Sequence, residues 1–348
     1  MPSENSVDQL RRLLFKYSLH NIIFMKLIFK KAKSIVLAIC LLLAISIHSI
    51  YGQGKKPNSK IDGVQIGVIT YSWRSMPSTI PDIISYCQQT GISSLELMGS
   101  VAEAAAGIPA MPQRLEKDSN ATDKQRADHK KATDLAQEKQ KQWRISNSFE
   151  KYKEMKKMFD KAGIKIHIVK FSPARWSDEE IDYAFKAAKI LGAKGITNEI
   201  GTEACKRLGK FAEKHNMYAI FHNHSQPGDP NFSFDEFLAY SPNNMLNLDV
   251  GHYYGSTGKH PNDVIKRLNK RIVSIHMKDK TGKNNSDPNQ NRNWGEGETP
   301  LGDILQLIQK NKYPINCDIE VEYNIPSNSD AVKETTRCVE FCRAALAQ

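Results

Sequence analysis

From Lys60 to the end of the chain, short apolar runs alternate with longer amphipathic ones, and no other feature restricts the fold so strongly. Eight runs read as strands: GVQIGVITYS (63–72), SLELM (94–98), KIHIVKF (165–171), GITNE (195–199), YAIFHN (218–223), MLNLDV (245–250), IVSIHM (272–277) and CDIEVEY (317–323). Between them lie segments with apolar residues three to four apart, the period of a helix with one buried face. They are 148–163, which begins at Ser148 as a cap and stops at Gly163, then 177–192, 201–216, 260–271, 300–312 and the closing 330–347. Eight strand runs with six helical segments set among them, in nearly 300 residues, predict an α/β fold, a (β/α)8 barrel, as a single domain over 60–348. One segment breaks the rhythm. Val101 to Ile145 is far too long for an ordinary strand-to-helix connection and reads as a helical insertion after the second strand, serving either as a wall of the barrel mouth or as a homo-oligomer contact. A second long connection, Lys280 to Thr299, is polar and rich in Gly and Asn, as a lid would be.

The first 52 residues stand outside this pattern. Ile35 to Ile47 is continuously apolar, follows Lys26, Lys30, Lys31 and Lys33, and ends in the small-residue exit Ser49-Ile50-Tyr51-Gly52. This is the layout of a secretory signal peptide, and the apolar run is shorter than the roughly 18–20 residues a membrane span needs. The chain is therefore expected to be exported, periplasmic or secreted, with no stable span after cleavage near Gln53. Met25 offers an internal start that makes 1–24 an extension. A retained anchor, or acylation at Cys40, is the competing reading. Removing residues 1–52 takes seven Lys/Arg and two Asp/Glu with it, lowering the net charge from +11 to +6. That basicity is ordinary and carries no aromatic interleaving, so nucleic acid is not expected as a partner. Cys87, Cys205, Cys317, Cys338 and Cys342 are odd in number and contain no C-x-x-C, which indicates neither a thiolate zinc site nor a disulfide framework, and Cys338 and Cys342, four apart on a helical segment, read as small buried residues.

In a barrel of this kind chemistry gathers at the C-terminal strand ends. Glu96 ends the second strand, Lys170 the third, Glu199 the fourth, His222 and His224 the fifth, Asp249 and His252 the sixth, His276 and Asp279 the seventh, and Glu320 and Glu322 the eighth. The N-terminal ends carry no comparable set. Any one of these side chains alone reads as a hydrogen-bonded structural group. Seven strand ends converging on one rim are different, because carboxylates and imidazoles packed together need a neutralising partner. A divalent cation (Mn, Mg, Co, Fe or Zn) suits mixed His and carboxylate donors without thiolate. Asp249, His276 and either Glu320 or Glu322 are the leading ligands. His222 and His224, two residues apart on a strand, face the same side. His252, Lys278 and Asp279 either touch substrate or orient the ligands.

The stretches LDVGH (248–252), IHMKDK (275–280), WGEGETPL (294–301) and IEVEY (319–323), in this order and spacing, resemble the sugar phosphate isomerase/epimerase group of xylose isomerase-like TIM barrels. The likeness runs from IGVITYSWR (66–74) to the last helix, and its C-terminal half is the specific part. That family includes ketose 3-epimerases, hydroxypyruvate isomerase, inosose dehydratase and AP endonuclease relatives, so the resemblance implies a fold and a divalent metal, not one reaction. By it, the metal aspartate and histidine fall on Asp249 and His276, the last-strand glutamate on Glu320 with Glu322 as the fallback, and a substrate-contacting histidine on His252. Many relatives read Glu-Asn-His where this chain reads His222-Asn223-His224. The missing glutamate is a ligand and one of two acid/base carboxylates, and a metal-bound imidazole is a poor base.

The expected function is a metal-dependent isomerase or epimerase acting through an enediolate on an unphosphorylated sugar or keto-sugar, since phosphorylated sugars are mainly cytoplasmic. A dehydratase or lyase acting on a keto-sugar or 3-keto-glycoside is the alternative. In this scheme Asp249, His276, Glu320 and His222 hold the metal, Glu320, Glu322, His224 and Lys170 move protons, and His252, Glu96, Lys278, Glu199 and Trp73 contact substrate. A sugar-binding barrel without turnover has little need of these carboxylates. DNA repair is disfavoured by export and by the lack of ligands for a three-metal cluster.

Overall fold

A computed structural model describes residues 56–115 and 121–348, and the signal peptide, the internal start and Cys40 all lie outside the described residues. Eight parallel strands pair in chain order: β1 (Val64–Ile69), β2 (Ser94–Met98), β3 (Lys165–Lys170), β4 (Gly195–Glu199), β5 (Tyr218–His222), β6 (Asn244–Asp249), β7 (Ile272–Met277) and β8 (Asn316–Ile319). β8 pairs back onto β1, with Ile66 opposite Cys317 and Val68 opposite Ile319, which closes the barrel and removes its edges. A two-residue antiparallel strand, Lys60–Ile61, folds against β1. The first and last strands are shorter than their apolar runs. β1 gives way to a 3₁₀ turn at Thr70–Trp73, and β8 stops at Ile319, so Glu320 and Glu322 stand in the loop just beyond the strand.

The outer ring comprises α1 (Ile80–Thr90), α2 (Gly99–Ala106), α3 (Asp123–Ile145), α4 (Glu150–Ala162), α5 (Asp178–Ile190), α6 (Thr202–His215), α7 (Phe234–Ala239), α8 (Val250–Thr257), α9 (Asn262–Leu268), α10 (Leu301–Asn311) and α11 (Ala331–Leu346). α5 starts at a capping box in which Ser177 and Glu180 satisfy each other's backbone donors, and α11 at Asp330, whose carboxylate accepts from Val332 and Lys333 N–H. The expected Ser148 cap of α4 is not used. Phe149, at φ +63°, precedes the helix, and its own N–H is taken by Asn147 Oδ1 at 2.7 Å; Gly163, at φ +77°, ends the helix as expected. No described helix is long and apolar enough to cross a membrane.

Two register breaks shape the interior. Glu96 pairs with Ile168 directly after Leu95 pairs with Ile166, and Asn247 with Ser274 after Leu246 with Ile272. His167 and Val273 are thus the extra residues of two bulges, the usual means of re-aiming a side chain within a sheet. His167 bonds Asp318 Oδ2 through Nε2 (2.9 Å) and Ser94 Oγ through Nδ1 (3.0 Å), and Asn316 Nδ2 donates to the same hydroxyl. The lower barrel thus has a small polar cluster of its own, with one imidazole and one carboxylate. Gly67 makes room for the network, because a Cβ there meets Asp318 Oδ1 at 2.0 Å.

Candidate active site at the barrel mouth

The mouth is built around Asp249, which ends β6 and also caps α8: its Oδ1 accepts the N–H of His252 at 2.7 Å. The sequence D-V-G-H follows from this double duty. Gly251 must lack a side chain, since a Cβ there sits 2.4 Å from the Lys278 carbonyl oxygen, and His252 occupies the capped third position. Asn223, the middle residue of His-Asn-His, fixes the strand end from the other side, accepting Asp249 N–H at 3.0 Å and donating to Asp249 O at 3.1 Å.

Next to it on β7, His276 is fully buried between two glutamates. Its Nε2 lies 2.6 Å from Glu96 Oε2 and its Nδ1 2.9 Å from Glu320 Oε2. Burial opposes protonation of His276, but Glu320 and Glu96 raise its pKa well above the usual histidine range. Glu96 is held in turn by the Thr197 hydroxyl at 3.0 Å and Asn247 Nδ2 at 2.9 Å. Glu96 therefore orients His276 and does not contact substrate, which corrects its expected role; it is entirely buried below the mouth. The buried Lys278 ammonium stands 3.1 Å from Asp249 Oδ2, 3.0 Å from Glu320 Oε2 and 2.6 Å from Glu322 Oε2. Burial disfavours its charge, yet the three carboxylates raise its pKa. Conversely, burial by itself raises Glu320, and Lys278 and His276 pull it well below the carboxylate range.

His222 completes the inner group, its ring 4.6 Å from that of His276 and its Nε2 3.8 Å from Asp249 Oδ2. Burial, with Lys170 and His276 nearby, depresses its pKa well below normal, so it is neutral and carries a lone pair. At the rim His224 lies 3.6 Å from Glu199 Oε2, and Lys170 Nζ 2.9 Å from Glu199 Oε1. His252 packs against His224 with ring centres 4.9 Å apart, and burial first, then Lys278, lowers its pKa to about 4.

The donors fit a divalent cation, whose binding would release the proton that Glu320 and Glu96 favour on His276, because a ligating imidazole is neutral. Buried His222 Nδ1, Asp249 Oδ2, His276 Nδ1 and Glu320 Oε2 all lack an aligned hydrogen-bond partner, although Lys278 and His276 stand at ion-pair distance from the two oxygens. His222, Asp249 and His276 each offer a donor atom within 4.8 Å of the others, and so do Glu199, His222 and His224. Mixed imidazole and carboxylate donors open to the mouth suit a catalytic rather than a structural ion.

Of the residues expected in the site, Trp73 does not belong. It is fully buried, donates through Nε1 to Thr335 Oγ1 at 3.1 Å and packs on Tyr86, tying the turn after β1 to α11. Asp279 is a loop anchor: its carboxylate accepts N–H groups of Gly295, Gly297 and Thr299 at 2.8–3.1 Å, holding the start of the Lys280–Thr299 loop to its end. Sequence reasoning missed Asn247, Asn223 and the buried Lys280, whose ammonium donates to Asn291 Oδ1 at 2.8 Å while Asn291 reaches the Glu322 carbonyl. Asn247 was detectable, since it lies two residues before Asp249 and so on the same strand face.

Residues 197–342 match the family model described as a xylose isomerase-like TIM barrel. No curated protein matches the chain. Similar solved structures include a sugar phosphate isomerase/epimerase from Parabacteroides distasonis (15% identity, TM-score 0.53, covering 85% of this chain and 99% of that one). A xylose isomerase domain protein from Alicyclobacillus acidocaldarius (13%, 0.57, 82% and 100%) and the probable 3-DHS dehydratase of petrobactin synthesis from Bacillus anthracis (16%, 0.53, 80% and 99%) are also similar. At these identities the likeness is one of fold.

Proposed function

We propose that this xylose isomerase-like TIM barrel is an exported, metal-dependent isomerase or epimerase of an unphosphorylated sugar or keto-sugar. The observation that carries the reading is the grouping of buried His222, Asp249 and His276, each with a donor atom within 4.8 Å of the others, and Glu320 Oε2 2.9 Å from His276 Nδ1. Asp249, His276, Glu320 and His222 are the residues to hold the ion, which when bound supplies a Lewis acid for a carbonyl oxygen. Glu322, partly exposed and 2.6 Å from Lys278, is placed to take the proton α to the carbonyl, and Lys278 holds that carboxylate in position. His224, half exposed beside Glu199, faces the mouth from the β5 side and is placed to return a proton. Glu96, Asn247 and Asn223 keep His276 and Asp249 fixed, so little reorganisation is needed during turnover. Return of the proton to the neighbouring carbon gives isomerisation, and return to the opposite face gives epimerisation.

A lyase is the second reading, favoured by His222 standing where many relatives place one glutamate of the symmetrical shuttle, and by His224, an imidazole at the rim that suits protonation of a departing β-oxygen. One experiment separates these outcomes. Metal-loaded protein is incubated in deuterated water with a panel of keto-sugars and 3-keto-glycosides, and NMR follows the label. Deuterium at the α-carbon of recovered substrate and product supports the isomerase, and loss of the β-substituent the lyase. Absence of both bound metal and exchange would leave a binding protein. Export rests on the apolar run at 35–47 behind its lysines, and N-terminal sequencing of the mature protein checks it.

A further inference from the structure

The insertion after β2 forms one wall of a cavity of about 610 Å³ that opens beside Lys170, one of the mouth residues. Its lining is mostly apolar: Met98, Ile108, Met111, Phe171 and Trp176 contribute the large surfaces. Met111 is 41% exposed, one of few large apolar side chains so exposed among the described residues, and it is turned toward this hollow. A second cavity, about 700 Å³ and bounded by Asn198, Glu199 and Thr202, adjoins the first across Ser172 and Trp176, which line both. Ser172 adopts φ +53°, an uncommon conformation for a residue other than glycine, at the point where the two hollows meet. The Lys170–Glu199 ion pair, one partner in each cavity, connects this trough to the mouth.

The wall is built to hold its shape. Arg144, in the last turn of α3, bonds both Glu103 oxygens at 2.7 and 3.1 Å and Glu180 at 2.9 Å, which locks the insertion to α2 and α5. Its guanidinium also lies 3.9 Å over the Trp176 ring. Arg144 is thus saturated by carboxylates and not available to a phosphate or carboxylate of a ligand. What remains for a ligand is a rigid, partly aromatic hollow next to the reacting centre, its Glu103, Arg144 and Lys170 charges already paired, which suits the flat C–H or π face of a ring.

We propose that this cavity is a subsite for a second ring, so that the substrate is a keto-sugar bearing a glycosidically linked sugar or aryl group; the inference rests on the keto-sugar reading of the mouth. The test compares affinities by calorimetry of the metal-loaded protein for a 3-keto-hexose, its phenyl glycoside and its glucosyl glycoside. The two-ring ligands are expected to bind at least tenfold more tightly, and the better of the two tells whether the hollow takes an aryl or a sugar ring. Ala104→Trp, at an exposed helix position that lines the hollow, is expected to cut that advantage to less than twofold. Trp176→Leu has the same expected effect and serves as the second variant. Equal affinities in the unaltered protein, or an advantage that survives Ala104→Trp, overturns the proposal. Exchange of the α-proton is recorded on the same samples; its absence counts against the keto-sugar chemistry, while the affinity ratio still decides the subsite.

Discussion

The barrel interior contains two buried polar clusters at different depths, and they are satisfied differently. Lower down, His167 uses both ring nitrogens, on Asp318 and Ser94, and Asn316 completes the set. Asp318 Oδ1, its one unbonded oxygen, lies against the space left by Gly67. At the mouth four donor atoms from four strands or their ends lack aligned partners. Both clusters cost desolvation. The lower one recovers that cost internally and so holds strands together, whereas the upper one, paired only in part by Lys278 and His276, leaves donor atoms for a bound ion. Unsatisfied convergence, more than burial or charge, distinguishes a site from a strut.

Exchanging the clusters' roles by mutation is the strongest way to break this comparison. Glu320→Gln is expected to lower α-proton exchange about 10³-fold, within the range for loss of a proton-handling or ion-holding carboxylate. Stability should fall by less than in the lower-cluster variant below, because Lys278 keeps Asp249 and Glu322 and His276 keeps Glu96. His167→Leu is the mirror case. It leaves the Asp318 carboxylate buried without its bonded partner and is expected to cost about 3–5 kcal/mol, read as a melting temperature lower by roughly 10 °C. Exchange per folded molecule should stay within twofold. If the lower variant loses exchange while remaining folded, the two clusters are one device and the distinction fails.

The sequence carried much of this and hid the rest for physical reasons. Alternation of period two with period 3.6 predicted all eight strands, and the strand ends supplied Asp249, His276, His222, Glu320 and Lys278. Trp73 misled because a strand end was assumed to run on to residue 72, whereas the chain turns at Thr70 and puts the indole in the core. Glu96 misled for a related reason: the shift after Leu95 and the depth of the strand decide whether a carboxylate reaches substrate or backs a histidine, and neither is encoded by local pattern. The lower cluster was invisible, since His167 turns inward only through a bulge. α7 and α8 escaped because helices of six and eight residues show barely two turns of periodicity, and the eleven-residue α1 was missed as well.

A pH titration sharpens the contrast by a smaller amount. The pKa of His252 is depressed in the fold to about 4, mainly by burial, against an ordinary value near 6.5. Between these values the unfolded chain binds the proton and the folded one does not, so this contribution is complete above pH 6.5 and is lost as pH falls toward 4. In the presence of a chelator it amounts to at most about 3 kcal/mol, and His252→Gln should flatten that part of the stability curve. A slope unchanged in the variant would place the sensitivity elsewhere.

The smallest effect is the most discriminating. Manganese at a hundred times its dissociation constant should raise the unfolding free energy by about 2.7 kcal/mol if it binds the folded chain alone. Asp249→Asn removes one oxygen charge from the inner donor set and should abolish that increment, while His167→Leu, starting from a lower melting temperature, should retain it in full. Equal stabilisation of Asp249→Asn and the unaltered chain would move the ion outward to Glu199, His222 and His224, which share only His222 with the inner set. The buried mouth would then be another satisfied strut, with Lys278 as its permanent cation, and the chemistry would belong to the rim.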